Sequence, residues 1–372
     1  MTGNRAAAPV LTRRALNRAL LERQLLLRRV ALPALDAVER LVGLQAQAPM
    51  DPYYALAARL EGFDPEELSG LLASRAAVRI AVMRSTIHLV SARDCRVLRP
   101  LSQPVHERAF RGNHGKRLTE VDLGRVAGRA RELVAERPYT FHALGQALAE
   151  EWPGSAPQDL AMAARTLLPL VQVPPRALWG RSGPAAHTTV EAWLGAEVDP
   201  APDLDVVLLR YLAAFGPASV KDMQTWCGLT RLRERVEGLR PRLRTFRDEQ
   251  GVELFDVVDG PLPDPGTPAP ARLLPEFDNL TLSHADRSRV VSPEDLRRLW
   301  RVNRANRAVL LDGFVAGIWR METARDAVAT VTVEPFRRIS GAEREAVREE
   351  AEGVLAMAAP GADYEVRFGP VT

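Results

Sequence analysis

Two carboxamides stand two positions apart in the segment Gly43-Leu44-Gln45-Ala46-Gln47-Ala48-Pro49. Gly43 weakens the end of the helical pattern before it, and Pro49 biases Ala48 away from helical dihedrals, so the pair falls on an extended bend between two helices. On a helix, side chains two positions apart face nearly opposite ways, whereas on an extended segment they share a face. The spacing therefore predicts that Gln45 and Gln47 converge on one substrate atom. Amides supply donors and acceptors but do not titrate near neutral pH, so they suit the orienting of a water and the stabilising of developing charge, and make poor general bases. Gln-x-Gln is a common tripeptide, and two glutamines at a helix end more often bond backbone groups or water than do chemistry.

Other residues of interest carry simpler structural readings. His88 falls within a predicted hairpin strand, as a structural histidine or a neighbour of the amide site. Asp51 lies close enough in sequence to the amide pair to activate a water, but its place before Pro52 reads more simply as a helix N-cap. Asp278 and Asp286 flank a loop whose Arg287 and Arg289 are their expected ion-pair partners, or DNA contacts. Arg111, His114, Lys116 and Arg117 lie on a polar, basic loop suited to phosphate contact or to plain solvation. The turn at 247–251 carries Asp248 and Glu249, which oppose phosphate contact.

The 372 residues suffice for two or three domains, with 46% apolar and 26% charged residues. No apolar run is long enough to cross a bilayer, and no hydrophobic export signal precedes the first amphipathic pattern, which places the protein in the cytoplasm. Two cysteines, Cys95 and Cys227, and six scattered histidines make neither a disulfide framework nor a zinc site, so no metal or cofactor is expected. Of the 50 basic residues only Lys116 and Lys221 are lysines, leaving 48 arginines, whose planar forks suit phosphate or carboxylate. A GC-rich genome also accounts for that bias. The pI near 9.1 permits a polyanionic partner without requiring one.

The elements that must position these groups follow a recurring order. Thr12 caps a first helix; further helices run over 35–44, from Asp51 to Leu60, and from Asp64-Pro65 onward; apolar runs at 78–82 and 86–90 then form a hairpin around Met83-Arg84-Ser85. Helices over 120–136 and 158–168 with strands from 171, and helices over 204–214 and from Thr230 with strands at 243–246 and 252–258, repeat that order. Helices followed by a hairpin are the order of a winged helix, although they also build folds that never touch DNA. Five prolines and two glycines at 259–270 mark a connection. Strands at 272–274, 309–312, 314–320, 327–333 and 364–368, with a capping box at Ser340 and Glu343, predict a β-rich, barrel-like carboxy-terminal domain. The fold class expected is α+β: winged-helix units at 1–118, 119–200 and 201–258, a Pro-rich connection at 259–270, and the β-rich domain at 271–372.

The amide segment, Arg84-Ser85-Thr86-Ile87-His88-Leu89-Val90, the run LLPEFDNLTLSHADRSRV at 273–290 and VLLDGFVAGIWR at 309–320 together resemble the winged-helix DNA glycosylases of the AlkZ and YcaQ type. The likeness spans 11–368, and Gln-aliphatic-Gln in place of Gln-aliphatic-Asp is similar to the AlkZ branch. The resemblance implies three tandem winged helices and a barrel-like element around a DNA channel. It also implies cofactor-free excision of N7-alkylated purines from double-stranded DNA, interstrand crosslinks included, by a monomer with Gln45 and Gln47 as catalytic residues. A noncatalytic winged-helix transcriptional regulator is the competing reading, and an interaction scaffold a third.

Overall fold

In the computed structural model, which describes residues 8–301, 304–323 and 328–371, helix α1 (Arg13–Arg23) starts where the Thr12 hydroxyl accepts the Ala15 amide. Its inner face buries Arg18 and Arg23 beside Leu20 and Leu21. Arg23 forks onto Asp256 at 2.6 and 2.9 Å, and Arg18 bonds Asn17 and Asp312. Paired with carboxylates, the two buried guanidiniums fix α1 in register against two distant parts of the chain.

After α1 comes a unit of α2 (Ala34–Arg40), β1 (Leu44–Gln45), α3 (Asp51–Ala57), α4 (Pro65–Ala73), β2 (Ala77–Ala81) and β3 (Ile87–Ser91). Helix α2 stops earlier than its periodicity predicts because Val42 and Gly43 take left-handed dihedrals, φ 54° and 90°. Helices α5 (Ala92–Leu101) and α6 (Gln103–Asn113) follow. The same order then returns as α7 (Leu123–Glu136), β4 (Tyr139–Thr140), α8 (Phe141–Ala149), α9 (Pro157–Leu167), β5 (Leu170–Gln172) and β6 (Ala186–Thr189). Beyond α10 (Val190–Leu194), a third unit runs through α11 (Leu204–Phe215), α12 (Val220–Cys227), α13 (Arg233–Leu239), β7 (Leu243–Arg247) and β8 (Glu253–Val257). Here a single bridge from Ala218 to Phe255 replaces the short strand.

In the first two units the short strand pairs antiparallel with the last strand of the hairpin, and β2 pairs with β5, giving one sheet of order β1-β3-β2-β5-β6-β4 whose halves mirror one another. Gln45 lies opposite His88, and Thr140 opposite Ala186. Counted back from the hydroxyl caps that end β3 and β6, Ser91 and Thr189, Thr140 is the counterpart of Gln45. The second unit enters its helix directly from Thr140. The first inserts residues 46–50 between strand and helix, and this insert is what carries Gln47.

Residues 258–271 form neither helix nor strand. They are a fixed strap, because Arg14, Arg18 and Arg23 donate to the carbonyls of Pro265, Thr267 and Pro261. The remainder comprises β9 (Arg272–Leu273), α14 (Asn279–Leu282), α15 (Pro293–Leu299), the pair β10 (Trp300–Arg301) and β11 (Arg304–Ala305), then β12 (Arg307–Leu311), β13 (Phe314–Thr323), β14 (Val328–Pro335), α16 (Gly341–Ala358) and β15 (Asp363–Phe368). The sheet β15-β14-β13-β12-β9 curls into a half-barrel. Ala329, Val331 and Val333 alternate inward on β14 and bury themselves against Val347, Ala351 and Leu355 of α16. The Ser340–Glu343 capping box that starts α16 is present as its sequence predicts. The class is mixed α+β, and one apolar core threads Leu20, Ile80, Phe215, Trp226, Leu310 and Phe336 together.

Candidate active site

The amide segment is held at three points. A Cβ on Gly43 would lie 2.8 Å from Val90 Cγ1 and 3.1 Å from the Leu89 carbonyl, so only glycine permits both the φ and the close approach to β3. Asn279 Nδ2 donates to the Gly43 carbonyl at 2.8 Å, the Ala46 amide donates to the Ile87 carbonyl at 2.8 Å, and Arg79 Nη2 donates to the Ala46 carbonyl at 2.6 Å. Asn279 is itself placed by Asp278, which caps α14 and receives a bidentate fork from buried Arg59 at 2.8 and 2.9 Å.

Gln45 is buried, and its Oε1 accepts from Arg84 Nη2 at 2.7 Å, with Thr86 Oγ1 at 3.5 Å. Gln47 is exposed, and its Oε1 accepts from the Ile87 amide at 3.1 Å. Both side chains thus meet residues at or just before the start of β3, Gln45 at Arg84 and Thr86 and Gln47 at Ile87. A guanidinium and a backbone N–H are donors only, so each fixes which end of its partner amide is oxygen. Neither amide nitrogen has a hydrogen-bond partner among the described residues.

His88 sits behind Arg84. Its Nδ1–H donates to the Thr86 carbonyl at 2.9 Å, leaving Nε2 as an acceptor 3.5 Å from Arg84 Nη2. Burial, with the Arg84 charge beside it, pushes its pKa down to about 3, so the ring is neutral at physiological pH. Burial also lowers Arg84 to about 10, which leaves it charged.

Residues 38–357 match the sequence profile of the AlkZ-like DNA glycosylases. The chain belongs to the AlkZ-like DNA glycosylase family. The solved structure of Streptomyces sahachiroi DNA glycosylase AlkZ shares its fold, with a TM-score of 0.76, 97% of this chain and 100% of that one covered, and 21% identity. No curated protein matches the sequence. DNA is accordingly the substrate of this AlkZ-like glycosylase. Among the described residues, no group of three or more His, Cys, Asp and Glu side chains is arranged to hold a metal, and no helix is long and apolar enough to cross a membrane.

Asp51 corrects an expectation from sequence. Met50, not Asp51, is the N-cap of α3, and the Asp51 carboxylate caps nothing. It is 1% exposed, with neither oxygen hydrogen-bonded. Burial pushes its pKa up to about 8 against the pull of Arg307 and Arg79, while Glu276 and Asp278 add to the rise. Arg307 lies 4.8 Å from the ring centroids of both Tyr54 and Trp319.

The basic candidates divide between surface and interior. The supposed loop at 111–117 is the last turn of α6 and a 3-10 turn. Arg111 and Lys116 are exposed there, but His114 and Arg117 both clamp Asp159, at 2.6 Å each, and this holds the Asp159 carboxyl down at about 2. The ion pairs expected of Asp278 and Asp286 do not form. Asp278 takes Arg59, and Asp286 accepts from the Ser288 amide and hydroxyl. Arg289 is buried and donates to the Pro217 carbonyl at 2.9 Å. Arg287 is half-buried, lies 5.5 Å from the Trp300 ring centroid and adds its positive field to that of Arg84, without an anionic partner among the described residues. Sequence reasoning missed Arg84, Arg79, Arg59 and Asn279. The first and last lie inside the family-like runs, but no local rule points them at Gln45 and Gly43.

Proposed function

We propose that this glycosylase hydrolyses the N-glycosidic bond of N7-alkylated purines in double-stranded DNA, including purines joined in azinomycin-type interstrand crosslinks, as a monomer and without a lyase step. The reaction would serve DNA repair or self-resistance to a crosslinking antibiotic. The three repeated units are winged helices in this reading, and residues 271–372 form the β-rich domain beside them.

The observation that carries the reading is the placement of two neutral carboxamides on one edge, Gln45 at the end of β1 and Gln47 in the insert that the mirror-related unit lacks. An N7-alkylguanine already bears positive charge and departs as a neutral base, so it needs no strong protein acid. Water adds to C1′ as the C1′–N9 bond breaks, the bonding pair leaves with the base, and the proton of the adding water passes to solvent. Gln45 and Gln47 orient that water and the departing base through fixed dipoles. Neutral His88 supports the arrangement and takes no proton. Lys116 and Lys221 lie on a 3-10 turn and on α12, not on the elements that carry Gln45 and Gln47, which favours hydrolysis over a Schiff-base lyase.

Arg287, Arg111 and Lys116 are the proposed phosphate contacts, with His114 and Arg117 shaping the Asp159 corner and Arg289 acting from the interior. A purine tied to the opposite strand cannot be extruded into a deep pocket in the usual way, so an open, positive channel suits the substrate.

The test replaces each glutamine by alanine and follows base release from a duplex carrying one N7-methylguanine, and from one carrying a single N7-linked crosslink, beside duplex affinity. Loss of release with affinity retained is expected. Full release from both variants would reject the assignment. An unaltered chain that binds duplex but releases no base would be a regulator instead.

A further inference from the structure

We infer that Arg84 is a positioning residue of this glycosylase, holding the Gln45 carboxamide with its oxygen turned inward so that the amide nitrogen is the group offered to DNA. The inference rests on the reading of Gln45 as catalytic.

The guanidinium reaches three neighbours from a turn between β2 and β3. Nη2 donates to Gln45 Oε1 at 2.7 Å and lies 3.5 Å from His88 Nε2, while Nη1 donates to the Trp226 carbonyl. That carbonyl belongs to the last turn of α12, where unpaired carbonyls concentrate negative charge. Arg84 therefore ties the amide of the first unit to a helix end of the third.

The backbone beneath this side chain is costly for the residue it carries. Arg84 has φ 56° and Ser85 φ 59°, a left-handed region that suits glycine and that other residues rarely adopt. An arginine held there is explained by what its fork does. It has five donors and no acceptor, so an amide facing it can present only oxygen. Gln47 is turned the same way by the Ile87 amide. Both carboxamides thus spend an oxygen lone pair on the protein and keep their N–H groups for substrate. The complementary partner is a lone pair, on the departing purine or on the attacking water, rather than the positively charged sugar.

The experiment measures single-turnover release of N7-methylguanine from a duplex, duplex affinity and thermal unfolding. Arg84→Gly removes the fork at a position where glycine relieves the backbone, and Arg84→Gln offers a second variant of similar reach. Each is expected to slow release by about tenfold to a hundredfold, to leave duplex affinity near that of the parent, and to cause no further loss when added to Gln45→Ala. Parental release rates, or the same loss in both backgrounds, would overturn the inference. Full release by Gln45→Ala alone would instead retire the reading beneath it. Gln45→Glu probes the contact with Arg84 intact. A carboxylate there gains the guanidinium and loses the amide donor, so the thermal midpoint should rise, the gain should vanish as pH falls through the carboxylate range, and release should be lost. An unchanged or lower midpoint, or retained release, overturns the inference even if the Arg84 variants fail to fold.

Discussion

Asn279 Nδ2 and the Gly43 carbonyl, 236 positions apart in sequence, are joined by a 2.8 Å hydrogen bond. The start of α14 thereby grips the residue just before the Gln45 strand, and Arg59 and Asp278 hold that helix start in place. Asn279→Ala is expected to cost roughly 1 kcal/mol of stability, the usual net value of such a bond. It should slow base release by more than it weakens duplex binding. Equal losses in both would argue that the bond serves folding alone.

Gly43→Ala should be worse. The new Cβ meets Val90 and the Leu89 carbonyl at a left-handed φ of 90°, which costs on the order of 1–3 kcal/mol and shifts the strand that bears Gln45. A measurable drop in thermal midpoint with near-complete loss of release is expected. A variant with parental release would show that β1 tolerates displacement.

Asp51 gives the protein a pH signature of definite sign. Its folded pKa of about 8 lies above the unfolded value. Between about pH 4 and the folded value, the unfolded chain has lost a proton that the folded chain keeps. Stability should therefore fall as pH rises through that window, by at most ~1.4 kcal/mol per pH unit, and level off above it. Asp51→Asn keeps the shape of the protonated acid and should flatten this slope while raising stability at pH 7.5. Denaturant titrations of both chains across pH decide it; parallel profiles would show that Arg307, Arg79, Glu276 and Asp278 already balance the charge.

Arg287 has no anionic partner among the described residues, and its positive charge acts on Arg84. If it clamps a phosphate, Arg287→Ala weakens binding to damaged and undamaged duplex alike and reduces the slope of log affinity against log salt by about 1. An unchanged slope would remove Arg287 from the interface.

What the sequence disclosed was local. Thr12 and the Ser340–Glu343 box carry their signal within a few positions, and glycine and proline around Gln45 and Gln47 announce the extended bend. The repeated helix–hairpin order was legible for the same reason. Helix α5 with its internal Pro100 and α6 with Pro104 in its first turn were not, because proline reads as a breaker there and is accommodated in the structure. Asp51 looked like a cap because Asp-Pro suits that position, yet its burial beside Arg79 of β2 and the distant Glu276, Asp278 and Arg307 is set by residues far away in sequence and leaves no trace nearby. Arg84, in a turn, gave no hint that its fork would reach a carbonyl 142 positions away.

The six-stranded ladder ends in Gln45 at one edge and in Thr140 at the other. Its framework is nearly two-fold, but its equipment is single. On the proposed reaction, a lesion that ties two strands can be approached from either direction, and each landing addresses only one sugar. The first cut frees the strands and leaves the adduct on the opposite one. Clearing that remnant takes a second encounter with the duplex turned end for end.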